Sequence, residues 1–87
     1  MPKVYWKSAS TEKAFKKLSL SPGQREEAEK LIASLEFDPR PVGCKKTSGK
    51  WKEHYRIDFG VDFRLIYRIE GDALTIVAIG DRKEIYR

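Results

Sequence analysis

The stretch Tyr55–Tyr67, Tyr-Arg-Ile-Asp-Phe-Gly-Val-Asp-Phe-Arg-Leu-Ile-Tyr, alternates apolar and polar residues on both sides of a break. Tyr55, Ile57 and Phe59 share one parity, with Arg56 and Asp58 between them. Beyond Gly60, Phe63, Leu65, Tyr67 and Ile69 share one parity, and Arg64 and Arg68 take the other. Successive side chains of a strand point to opposite faces, so the pattern predicts an antiparallel hairpin with one buried and one solvated face. A two-residue loop at Gly60-Val61 would set Ile57 opposite Arg64 and carry core residues to the wrong face. A three-residue loop, Gly60 to Asp62, instead sets Phe59 opposite Phe63, Ile57 opposite Leu65 and Tyr55 opposite Tyr67. That register is the expected one. It also sets Asp58 opposite Arg64 and His54 opposite Arg68 on the solvated face, with Asp62 near the left-handed position such loops require.

The rest of the chain supplies what this hairpin packs against. Val4 and Trp6 alternate with Lys3, Tyr5 and Lys7, which suggests a short strand. Ser8 to Ser10 can cap a short basic helix whose apolar stripe is Ala14, Phe15 and Leu18. Ser21-Pro22-Gly23-Gln24 is a capping box with proline at the first helical position, where a missing N–H costs nothing. The helix it opens presents Ala28, Leu31, Ile32 and Leu35 at i, i+3, i+4, i+7, the spacing of one buried face. Glu26, Glu27 and Glu29 should suit the positive end of its dipole, and Glu26 reaches Lys30 at i+4. Pro39 and Pro41 force an extended link after it. Lys45 to Lys50 then forms a polar loop or ragged strand start, and the first hairpin strand runs from Trp51 to Phe59. Glu70-Gly71-Asp72 is a second turn, and Ala73 to Ile79 is apolar almost throughout, as in a central or doubly covered strand. The order strand, helix, helix, three strands predicts an α+β fold with two N-terminal helices on one face of a mostly antiparallel, twisted sheet.

At 87 residues the sequence is expected to form a single domain, residues 1–87. Its 40% hydrophobic and 36% charged residues suit a soluble globular protein. A single cysteine, Cys44, allows no internal disulfide, which suggests a reducing cytoplasm, and no apolar run approaches a membrane span. The net charge of +5 is concentrated. Between residues 40 and 56, Arg40, Lys45, Lys46, Lys50, Lys52 and Arg56 face Glu53 alone, so that strip holds the whole excess. A basic strip beside a strand suggests an anionic partner, nucleic acid before membrane; a solvated lysine-rich loop is the alternative.

No glycine-rich phosphate loop and no Cys/His metal spacing is present, and no metal or other cofactor is expected. The chemistry must come from basic and phenolic groups. Lys52, His54, Arg56 and Asp58 share one strand face, Arg64 and Arg68 share it on the neighbour, and Arg82 and Tyr86 follow the last strand. Arg64 stands out because an arginine inside an apolar strand needs a partner.

Pro39-Arg40-Pro41, Gly43, Lys45-Lys46, Gly49, Tyr55-Arg56-Ile57, Phe63-Arg64-Leu65-Ile66-Tyr67 and Ile79-Gly80-x-Arg82-x-x-x-Tyr86 together resemble the RelE branch of the RelE/ParE toxin superfamily. The resemblance spans nearly the whole chain. It implies a small RelE-like toxin paired with an acidic, RelB-like antitoxin. It further implies a metal-free endoribonuclease that cuts messenger RNA in the ribosomal A site through attack by the ribose 2′-hydroxyl. By that resemblance Arg64 and Arg82 serve the scissile phosphate and Tyr86 stacks on or orients the nucleotide. Arg56 and the strip of Lys45, Lys46, Lys50 and Lys52, with His54 and Arg68, hold the RNA. The sequence departs from the family at Asp58 and Asp81, where relatives often carry basic residues, so a weakened nuclease is expected. The alternatives are a ParE-like toxin that poisons DNA gyrase by binding and a basic RNA-binding module. The residue chemistry is compatible with the nuclease: only His54 has an unperturbed pKa near neutrality, so such a site would act by stabilising phosphate charge and fixing geometry.

Overall fold

The computed structural model describes residues 3–41, 44–47, 53–60 and 62–85. In chain order the elements are β1 (Lys3–Trp6), α1 (Ala9–Lys17), α2 (Pro22–Ser34), β2 (Lys45–Lys46), β3 (Tyr55–Phe59), β4 (Phe63–Glu70), β5 (Ala73–Asp81) and α3 (Arg82–Ile85). The strands form one five-stranded sheet in the order β1-β5-β4-β3-β2. Only β1 runs parallel to its neighbour, β5; the other pairings are antiparallel. The mostly antiparallel α+β arrangement is the expected one.

Each helix forms for local reasons. Ser8 caps α1 by accepting from the Thr11 N–H at 3.2 Å. In α2 the capping box closes both ways: Ser21 N–H donates to Gln24 Oε1 at 3.0 Å, and Gln24 N–H donates to Ser21 Oγ at 3.2 Å. The expected Glu26–Lys30 pair is present at 3.1 Å on the exposed face. The expected dipole role of the glutamates is not, because the first turn of α2, which opens at Pro22, contains no acid. Its Arg25 reaches instead to the end of α1, donating to the carbonyls of Phe15 at 3.3 Å and Leu18 at 2.9 Å. Those carbonyls already accept the backbone N–H groups of Leu18 and Leu20, and the guanidinium adds a charged donor to each, so one side chain joins the two helices.

The hairpin has the register that parity dictates: Tyr55 opposes Tyr67, Ile57 opposes Leu65, Asp58 opposes Arg64 and Phe59 opposes Phe63. Phe59 and Phe63 stack with ring centroids 5.5 Å apart, and Tyr55 and Tyr67 with 5.7 Å. With Leu65, Leu74, Ile76, Ile79, Phe15, Ala28 and Leu35 they make the main core between sheet and helices. Two local expectations fail. Among the described residues Asp62 does not take the left-handed conformation; Gly60 does, with φ 60°. Glycine adopts positive φ without a Cβ penalty, so the loop uses it and not the aspartate. Trp51 and Lys52, the expected start of the first hairpin strand, lie outside the described residues; β3 begins at Tyr55, after Glu53 at φ 67° turns the chain out of the extended conformation.

The second face of the sheet is not uniformly wet, as the alternation suggested. Between Ile66 and Tyr67 the pairing of β4 with β5 shifts, so Ile66 opposes Ala78 while Tyr67 opposes Ile76, and Val77 is the extra residue. Ile66, Val77 and Ile85 form a small second cluster there. Burial of Ile85 folds α3 back onto this face. Among the described residues no helix is long and apolar enough to cross a membrane.

Candidate functional site

The face away from α1 and α2 can be mapped row by row from the register. Lys45 on β2 opposes Arg56 on β3, which opposes Ile66 on β4. In the next row Asp58 opposes Arg64, which opposes Gly80 on β5. Gly80 presents no side chain, so nothing on β5 covers Arg64 in its own row.

Arg64, Arg56 and Asp58 converge. Arg64 Nη1 lies 3.0 Å from Asp58 Oδ1, and Arg56 Nε lies 3.6 Å from the same oxygen. The Arg64 contact has the separation of an ion pair but not the angles of a hydrogen bond. Charge attraction holds it, and not directional bonding. The Arg64 side chain is 14% exposed and Asp58 55%. A pair this open to solvent is worth about 0–1 kcal/mol, so an incoming anion can displace the carboxylate. Two guanidinium groups aimed at one oxygen make an anion site that an aspartate occupies.

Arg82 is exposed at the start of α3, two residues beyond the Gly80 that opposes Arg64. Its backbone is fixed, since Arg82 N–H donates to the Asp62 carbonyl at 2.8 Å. Asp81 accepts from Lys83 N–H at 2.8 Å through Oδ1, so its carboxylate caps α3. Asp62, Asp81, Arg82 and Lys83 line a recess of about 350 Å³ at this corner. Ile85 brings the chain over the cluster; Tyr86, which follows it, lies outside the described residues, as do Lys50 and Lys52.

The basic strip does not act as one surface. Lys45 opposes Arg56 and Lys46 opposes Tyr55, so the two exposed lysines sit on opposite faces of the sheet. Arg40 joins Lys46 on the helix side. Its Nε donates to Tyr55 Oη at 3.1 Å and its guanidinium carbon lies 5.4 Å from the Tyr55 ring centroid. That hydrogen bond raises the Arg40 pKa above its ordinary value. The linker is pinned beside it: Tyr67 donates from its hydroxyl to the Pro39 carbonyl at 2.7 Å, and the Cys44 sulfur lies 3.1 Å from that hydroxyl. Burial, then the Cys44 contact, pushes the Tyr67 pKa well above the ordinary phenol value. His54 is half-buried one residue before β3, and its carbonyl accepts from Thr47 N–H at 2.8 Å. Arg68 lies on the cluster's face with Nε 3.0 Å from Glu70 Oε1.

Two helices against this five-stranded sheet are the architecture of small toxins of known structure. A copper-bound point variant of a toxin from Helicobacter pylori aligns over 98% of this chain and 99% of that one, at 26% identity and TM-score 0.77. The E. coli toxin YafQ, as a variant, aligns over all of both chains at 15% identity and TM-score 0.78. RelE in the RelE–RelB complex of Pyrococcus horikoshii covers 93% of this chain and 94% of its own, at 23% identity and TM-score 0.74. The last two likenesses speak to fold alone. No curated protein sequence matches significantly. The family model for the ParE toxin of type II toxin–antitoxin systems matches residues 8–86, and the chain belongs to that family, within the RelE/ParE superfamily of toxins.

Proposed function

We propose that this toxin is a metal-free endoribonuclease that cuts messenger RNA in the ribosomal A site, by attack of a ribose 2′-hydroxyl on the adjoining phosphate. The observation that carries this reading is the convergence of Arg64 and Arg56 on a single carboxylate oxygen, at 3.0 and 3.6 Å. A phosphoryl oxygen in that position would meet both guanidinium groups, which stabilise the extra negative charge of a pentavalent phosphorus most strongly. Arg82 adds a third cation from α3, and Tyr86 orients the nucleotide. Arg56, Arg68, His54 and the lysines on this face track the RNA backbone. The ribosome supplies the in-line geometry that such a site cannot impose alone. In the cell an acidic, RelB-like antitoxin covers the cationic face. RelE is seen with RelB in the Pyrococcus complex, and YoeB with YefM in that of Staphylococcus aureus.

The test is purified toxin added to ribosomes holding a defined message, with chelator present. Cleavage within the A-site codon, lost in Arg82→Ala, is the expected result. A second reading, a gyrase-binding toxin, is favoured by the ParE description of the matching family and by the carboxylate inside the arginine cluster. Inhibition of gyrase supercoiling with messenger RNA left intact would establish it instead.

A further inference from the structure

Beyond the arginine cluster, the same face carries an aromatic residue in a telling position. On β1, Val4 and Trp6 pack against the main core, so Lys3 and Tyr5 point to the other face. Tyr5 opposes Thr75 on β5, and Thr75 opposes Arg68 on β4, which puts Tyr5, Thr75 and Arg68 in one row. Tyr5 is 51% exposed, and Phe37 is the one other large apolar side chain so exposed among the described residues. The charges around it favour an anion: Lys3, Lys45, Arg56, Arg64 and Arg68 share this face with Asp58 and Glu70. Glu70 engages Arg68 at Nε, the inner nitrogen; the two outer nitrogens carry most of a guanidinium's donors. From Arg64 the row lies about 13 Å along β4, and Tyr5 lies about 10 Å across two strand spacings from Arg68. That is a span of a few extended nucleotides.

We propose that Tyr5 stacks on a base of single-stranded RNA while Arg68 holds the adjoining phosphate, forming a subsite a few nucleotides from the arginine cluster. An exposed ring on a sheet, beside cations, suits this occupant because every base offers a π-face and the backbone follows the charge. The inference rests on the nuclease reading and extends it from the scissile phosphate to the flanking nucleotides.

The experiment measures binding of a labelled, short single-stranded RNA with 2′-O-methyl sugars, which cannot be cleaved, to the full chain and to Tyr5→Ala, Tyr5→Phe and Arg64→Ala. Circular dichroism confirms the fold of each. Tyr5→Ala should weaken binding by about tenfold or more, the loss expected for one stacked base. Tyr5→Phe keeps the ring and should bind nearly as tightly as the parent. Weakened binding in Arg64→Ala with Tyr5→Ala unchanged overturns the subsite and leaves the nuclease reading standing, whatever Tyr5→Ala does to antitoxin capture. No measurable binding by the parent likewise overturns the subsite, whereas the nuclease reading falls only if programmed ribosomes are also left uncut.

Discussion

The helix-covered face of the sheet buries Leu65, Tyr67, Leu74 and Ile76 completely, while among the described residues the opposite face closes over a small cluster of Ile66, Val77 and Ile85 with Ala78 against it. The first face is filled by packing from β1 across to β3. The second leaves Arg56, Asp58, Arg64 and Arg68 around a small apolar patch, with charge held by charge. The difference separates stability from chemistry. Changes on the first face should alter folding, and changes on the second should alter what the protein binds and, on the proposed reading, its cleavage of RNA.

The largest effect expected is on stability. Leu65→Ala removes a side chain with no exposed surface and should cost about 2–5 kcal/mol in denaturant unfolding, a large part of a small domain's total. A loss below about 1 kcal/mol would mean that the main core can collapse around the gap. On the other face, Asp58→Lys should raise single-turnover cleavage by about tenfold, roughly 1.4 kcal/mol, because it replaces repulsion of the phosphate by attraction. Asp58→Asn should give a smaller gain. A large loss in Asp58→Asn with folding intact would make Asp58 a catalytic base and break the contrast.

The two remaining predictions are smaller. Lys45→Ala should flatten the log–log dependence of RNA affinity on salt by roughly one unit, whereas Lys46→Ala, facing the other way, should change it less. Equal slopes for both variants would mean that β2 contributes as a loose edge and not as two faces. Tyr67→Phe loses the 2.7 Å bond to the Pro39 carbonyl and should cost about 1 kcal/mol. The Tyr67 phenol is raised in the fold, so its contribution is complete below the unfolded pKa of about 10 and declines as pH rises above it. Alkaline unfolding should therefore be less steep in Tyr67→Phe.

The hairpin and its register were legible in the sequence because parity admits one pairing that keeps apolar against apolar across Tyr55–Tyr67. Asp58 opposite Arg64 followed from that register alone. The shift at Val77 was not legible, since Leu74 to Ile79 is apolar at both parities apart from Thr75 and hides where alternation slips. Nor was the division of the basic strip. Lysines adjacent in sequence read as one patch, but a two-residue strand sends Lys45 and Lys46 apart, and the Tyr55 ring and hydroxyl draw Arg40 to the helix side. Such captures depend on groups distant in sequence, which no local pattern reveals.

The central claim is that Arg64 serves chemistry and not folding, and single-turnover cleavage on programmed ribosomes tests it most directly. Arg64→Ala should cleave about 10²–10³-fold more slowly than the parent, the usual cost of one lost transition-state donor, with unchanged circular dichroism and unfolding midpoint. Cleavage at the parent rate by a folded Arg64→Ala protein would contradict the account.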